Sequence, residues 1–158
     1  MFALSCTSYK NDENIPIKFT HRTVVGGKNI SPGFIWTDPP VSSKSFALAI
    51  IDPHPVARNW VHWFLINIPL RERKVVEAAS RTNSLPPGSK ELMNSYHELG
   101  YGGPAPPAGS GRHPYVATLY ALNSESLALG VDAGLRQFEK AIEGKVIDEK
   151  SVTGYYER

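Results

Sequence analysis

Three stretches hold the most concentrated apolar sequence in the chain, and each is of strand length. Ser45 to Asp52 (SFALAIID) is apolar at every interior position, as a strand covered on both faces must be. Trp60 to Ile68 (WVHWFLINI) is rich in β-branched and aromatic residues and is closed by Pro69. Tyr115 to Leu122 (YVATLYAL) is the third. Before them, short β-like stretches are separated by turn signals such as Gly26-Gly27-Lys28-Asn29 and Asp38-Pro39-Pro40. Only one segment has helical spacing. Leu135, Phe138, Ala141 and Ile142 fall on one face, with Asp132 as the expected N-cap and Gly144 as the stop. Lys145 to Ser151 then reads as a short strand or extended tail, and Val75 to Tyr96, weakly patterned around Pro86-Pro87-Gly88, as a long loop. Short strands between turns predict an antiparallel sandwich rather than alternating β-α units.

Composition narrows the class further. A chain of 158 residues with 41% hydrophobic and 20% charged residues is sized for one domain, residues 1–158, around one core. Thirteen glycines and thirteen prolines agree with many turns. The formal net charge of +2 leaves no basic stripe to exchange for counterions, which argues against a nucleic-acid partner. No apolar run exceeds the six residues Phe46–Ile51, so integral membrane association is not expected. A single cysteine, Cys6, gives no intrachain bridge, and the expected compartment is the cytoplasm.

Familiar catalytic patterns fail on inspection. Gly100 to Ala105 matches G-x-G-x-x-A, but Pro104, Pro106 and Pro107 forbid the helix that a dinucleotide fingerprint must open. There is no phosphate-binding P-loop, and Ser110 lacks the G-x-S-x-G spacing of a nucleophile elbow. What remains is a polar set beside the strongest strands. Asp52 ends the first of them and is followed by Pro53-His54-Pro55. His62 lies within the second; by strict alternation it shares a face with Trp60, Phe64, Ile66 and Ile68 and opposes Val61, Trp63 and Leu65. It is either a core histidine satisfied by backbone or a ligand group. His113 closes the loop Gly102–Arg112 two residues before Tyr115, an arrangement that fits either a small-anion site or a solvated surface loop.

Four segments together carry a family resemblance: Asn29-Ile30-Ser31-Pro32 through Trp36, Phe46 to Pro53, Trp60 to Pro69, and Gly100 to Leu122 with its GYGGPAPP…H-x-Y-V-A-T-L-Y-A-L. The chain resembles the phosphatidylethanolamine-binding protein family, in its bacterial and archaeal Raf kinase inhibitor-like branch. The resemblance implies a Greek-key antiparallel β-sandwich with a few short peripheral helices, including the C-terminal one. It also implies a small pocket for phosphate-like anions or phosphorylated headgroups, built from Asp52, His62, Tyr101, Pro107, His113 and Tyr115. In that pocket His62 and His113 would donate to phosphate oxygens, while Asp52 would orient an imidazole or pair with a cationic headgroup end. Two positions depart from the family pattern. Its usual Asp-Pro-Asp reads Asp52-Pro53-His54, which adds His54 to the candidate ligand-binding residues, and its usual His-Arg-Tyr reads His113-Pro114-Tyr115, with an arginine only at Arg112. The substitution of His54 makes a bare anion the expected ligand.

The function expected is therefore that of a non-enzymatic binding protein, without cofactor, that acts on signalling, a kinase or a protease through a small phosphoryl pocket. A competing expectation is a metal site or metal-dependent hydrolase using Asp52, His54, His62 and His113, whose donor types suit zinc. A third is a protein-interaction surface on the Val75–Tyr96 loop, and a homodimer is expected because relatives are often dimers.

Overall fold

The computed structural model describes residues 1–158 and contains two antiparallel sheets. The larger has the order β6-β4-β3-β7-β8, formed by Lys90–Glu91, Trp60–Pro69, Ser45–Asp52, His113–Leu122 and Val146–Tyr156. The smaller is β1-β2-β5, formed by Ala3–Cys6, Phe34–Thr37 and Lys74–Val75. The three stretches read from the apolar pattern are thus adjacent in one sheet, with β3 at its centre between β4 and β7. No helix is long and apolar enough to cross a membrane.

β3 explains the placement of the core. Phe46, Leu48 and Ile50 enter the cluster shared with Phe34, Trp36 and Val75 of the smaller sheet. Ala47 and Ala49 face the other way, into a second cluster with Phe64, Leu122, Phe138 and Ile142. Small alanines on that face leave room for the helix α1, Leu135–Ile142, whose Phe138 stacks on Phe64 at 4.4 Å. The helix is as expected on its buried face and at Gly144, which has φ +72° just past its end. Its start differs: Gly134, not Asp132, is the N-cap, and the Gln137 side chain accepts the Gly134 N–H at 3.2 Å. The tail beyond is longer than expected, an eleven-residue strand paired along β7.

Strict alternation along β4 does not hold, and the reason bears on function. Ile50 pairs with Trp63 and Ile51 with Val61, so His62 is an extra residue in a β-bulge. A second irregularity lies between Leu65 and Ile68, where Asn67 has φ +58°. Val61 therefore faces α1 with Phe64 and Ile66, whereas Trp63, Leu65 and Ile68 face the smaller sheet. The bulge turns His62 toward the sheet end at which Asp52 also lies.

The Val75–Tyr96 stretch is largely loop but is tied to the sheet. The buried Glu91 carboxylate accepts from Trp63 Nε1 at 2.9 Å, Ser80 Oγ at 2.5 Å and the Arg81 N–H at 2.9 Å. Three donors on one carboxylate anchor the strap that carries Tyr96.

Candidate ligand pocket

At the end of the larger sheet, the C-terminus of β3, the bulge of β4 and the start of β7 converge. They enclose a cavity of about 300 Å³ lined by Asp52, His62, His113 and Tyr115, with Pro107 on its rim and Trp60 and Tyr96 on its wall. The Asp52–Pro53 peptide is trans, as all peptides in the chain are.

Asp52 organises the polar side of the cavity. Its Oδ1 accepts the His54 N–H at 2.8 Å, and its Oδ2 accepts from His113 Nδ1 at 2.6 Å. Both side chains are buried, to 3% and 1% exposure. The other nitrogen of His113 lies 2.8 Å from Ser110 Oγ, whose hydroxyl donates to the Pro107 carbonyl at 2.6 Å. The connectivity Asp52–His113–Ser110 is that of a hydrolase triad, but Ser110 lies off the cavity lining, and the chain of bonds fixes the imidazole in the wall.

His62 is held differently. The residue is 3% exposed, and Nδ1 donates to the Gly102 carbonyl at 2.6 Å. Burial pushes the imidazole down to about 4, against the opposing pull of the Gly102 carbonyl and the Asp52 charge. Neutral His62 carries its one proton on Nδ1, so Nε2 presents a lone pair. Trp36 Nε1 and Ser43 Oγ are the buried side-chain polar atoms without partners. The His62 Nε2 and the Tyr115 hydroxyl, which bond nothing within the protein, open instead on the cavity. Burial and the Asp52 charge hold the Tyr115 phenol far above its ordinary range, so it is a hydroxyl donor throughout the usual pH span.

Of the residues expected at a site, Asp52, His62, Pro107, His113 and Tyr115 come together in this lining. Tyr101 does not join it: its hydroxyl donates to the Phe19 carbonyl at 2.7 Å, and its ring packs edge-on to Trp63 in the core. His54 stacks on His113 at 3.8 Å, with Nδ1 accepting the Val56 N–H. Its imidazole therefore braces His113 rather than standing in the lining. Arg112 lies over Tyr155 at 3.8 Å, outside the lining.

The glycine-rich loop is also less open to an anion than its composition suggests. The Gly102 N–H goes to the His62 carbonyl, that of Gly103 to Asn29 Oδ1 and that of Gly109 to the Arg158 carbonyl. Glycine is required at 103 for packing, since a Cβ there would lie 2.2 Å from the Phe19 carbonyl oxygen. Nor do Asp52, His54, His62 and His113 form a ligand set for a metal. No cluster of three or more metal-type ligands occurs, and the ring nitrogens of His113 and one each of His54 and His62 are engaged in the bonds above.

Two wall residues escape sequence inspection. Trp60 and Tyr96 meet edge-to-face at 5.3 Å. Tyr96 donates to the Gly103 carbonyl at 2.7 Å and is stacked at 4.2 Å on His21, which is bonded to Glu98. The only sequence signal for Tyr96 is its place in an unusually long loop; its partners are 75 and 7 residues away along the chain.

Comparison with known proteins agrees with this architecture. The phosphatidylethanolamine-binding protein family model matches residues 5–157. A UPF0098 protein of Aquifex aeolicus is 36% identical over 151 residues, covering 96% of this chain and 85% of that one. A UPF0098 protein of Methanothermobacter thermautotrophicus is 36% identical over 155 residues, covering 98% of each. The crystal structure of Escherichia coli YbcL, a member of the mammalian PEBP family, superposes with a TM-score of 0.93 at 27% identity over 99% of this chain and 98% of that one. The chain belongs to the phosphatidylethanolamine-binding protein family.

Proposed function

We propose that this protein acts by binding a small phosphoryl-bearing ligand in the cavity at the end of the larger sheet, without chemical turnover. The observation that carries the reading is the polar side of the cavity: the Asp52–His113 pair beside a His62 nitrogen and a Tyr115 hydroxyl left without protein partners. Polar atoms that open on a cavity without protein partners are free to bond what enters it, and a ligand would supply those bonds. A volume of about 300 Å³ suits a headgroup-sized molecule rather than acyl chains. Membership of a family named for a phosphorylated headgroup supports the phosphoryl class. Action in a reducing compartment such as the cytoplasm agrees with the lone Cys6. Signalling through a protein partner would use the exposed rim, where Trp60 and Val56 stand 36% and 53% exposed.

The test is an NMR titration of the full chain with inorganic phosphate, following amide and histidine ring signals. Saturable shifts centred on His62, His113, Tyr115 and Pro107's neighbours are expected. No saturable shift, or a response to methylammonium in place of phosphate, rejects the reading.

A further inference from the structure

A second concavity, of about 330 Å³, lies beside the ligand cavity and is separate from it. Val61 lines the one and its neighbour His62 the other. The floor of this groove is apolar, with Val61 and Phe64 of β4 meeting Ala133 and Leu135 at the entry to α1. Its rim carries Arg58 and Asn59 from the loop between β3 and β4, Ser95 and His97 from the strap, and Asp132. Ser95 is spent on the sheet: its N–H donates to the Val61 carbonyl at 2.9 Å, and its Oγ accepts the Val61 N–H at 2.8 Å. Arg58 enters no ion pair, although Asp132 stands on the same rim.

The backbone singles out Arg58 as well. It ends a helical turn in which its N–H reaches the His54 carbonyl at 2.9 Å, and its φ of +52° is one that glycine adopts without steric cost. An arginine held in that conformation points to a use for its side chain, since the turn itself favours glycine. Past the rim, Met93, Leu99 and Val131 stand exposed and adjoin one another. The Met93 N–H donates to the Val131 carbonyl at 2.7 Å, and Met93 and Leu99 form an antiparallel bridge. An apolar floor, an apolar shelf and an unpaired guanidinium are complementary to an apolar chain that ends in negative charge. From this we infer that the groove receives the C-terminus of a partner polypeptide whose last residue is large and aliphatic. Its side chain lies on Val61, Phe64 and Leu135, its terminal carboxylate on Arg58, and the preceding residues cross Met93, Leu99 and Val131. A terminal residue is the peptide unit that carries an apolar side chain and a carboxylate on the same Cα, and a groove of this volume takes that unit whole. Asp132 disfavours a second acid in the bound chain. The inference is independent of the phosphoryl reading of the cavity.

The decisive comparison is the peptide acetyl-Leu-Ala-Leu with a free carboxylate against the same peptide amidated, each titrated into the full chain and followed by amide NMR signals. The acid should give saturable shifts at Arg58, Asn59, Met93, Ser95 and Leu135, while Asp52, His113 and Tyr115 stay in place. Amidation should weaken binding roughly tenfold, because a charge-assisted hydrogen bond is lost. Arg58→Gly should weaken the acid by a similar factor and erase the difference between acid and amide. The same variant should melt at an equal or higher temperature, since glycine relieves the strained φ. Arg58→Lys, which keeps the charge without the planar fork, should retain a preference for the acid.

Equal affinities for acid and amide would overturn the inference, as would shifts centred on the cavity or no saturable shift at millimolar peptide. Concentration-dependent shifts of the same groove residues without peptide would assign the groove to a second copy of this chain and overturn it too. The phosphoryl reading survives each of these results, because the phosphate titration follows residues of the cavity.

Discussion

Acidification should destabilise this protein through one residue, His62. The imidazole ionises at about 4 in the folded chain against an ordinary value of 6.5, because burial disfavours its charged form. The unfolded chain therefore takes up a proton at a higher pH than the folded chain does. Stability from this source is complete above about pH 6.5, falls as the pH drops toward 4, and falls no further below that. At about 1.4 kcal/mol per pH unit the whole window is worth about 3 kcal/mol, a large share of the roughly 5–15 kcal/mol typical of a domain. The assay is urea unfolding followed by tryptophan fluorescence, at about pH 7.5 and about pH 4.5, on the natural chain and on His62→Gln. Glutamine can donate to the Gly102 carbonyl but cannot ionise, and the other four histidines are common to both proteins. The natural chain should lose roughly 2–3 kcal/mol more than the variant between the two conditions. Parallel losses would refute the reasoning, since they would mean that His62 charges as readily in the fold as outside it.

Other positions offer independent checks. Glu91→Ala removes the acceptor of three donors and should destabilise by about 3 kcal/mol or more in the same urea assay, because buried groups are left unpaired. Phe138→Ala empties the contact between α1 and the Ala47–Ala49 face; a loss of about 3–5 kcal/mol is expected by thermal or urea unfolding. Tyr101→Phe should lower stability by about 1 kcal/mol through the lost bond to Phe19, yet leave phosphate affinity unchanged in calorimetry; a fall in affinity would place Tyr101 in the site after all. His113→Ala removes the group that pairs with Asp52, and phosphate affinity should fall by about 1.5–3 kcal/mol in the same calorimetry.

The three principal strands, the helix face and the sandwich class were legible in the chain because each follows from local period and composition. An apolar run such as FALAII cannot face water on either side, and a face formed by Leu135, Phe138, Ala141 and Ile142 must be covered. Asp52, His62, His113 and Tyr115 were legible as chemistry for the same reason, since each interrupts or adjoins an apolar element with a group that needs a partner, whereas Pro107 was legible only through the family resemblance. Tertiary structure decided the rest. The bulge at His62 depends on how β4 matches β3, a pairing between strands that no window of the sequence contains. Tyr101 and Tyr96 have the same side chain and stand five residues apart. One reaches the Phe19 carbonyl in the core and the other walls the cavity, because different distant backbone oxygens receive their hydroxyls. The direction of the hydrogen bonds was equally hidden. Sequence placed two histidines at a pocket, but only the carbonyl of Gly102, brought to His62 across 40 residues of chain, turns its cavity-facing nitrogen into an acceptor.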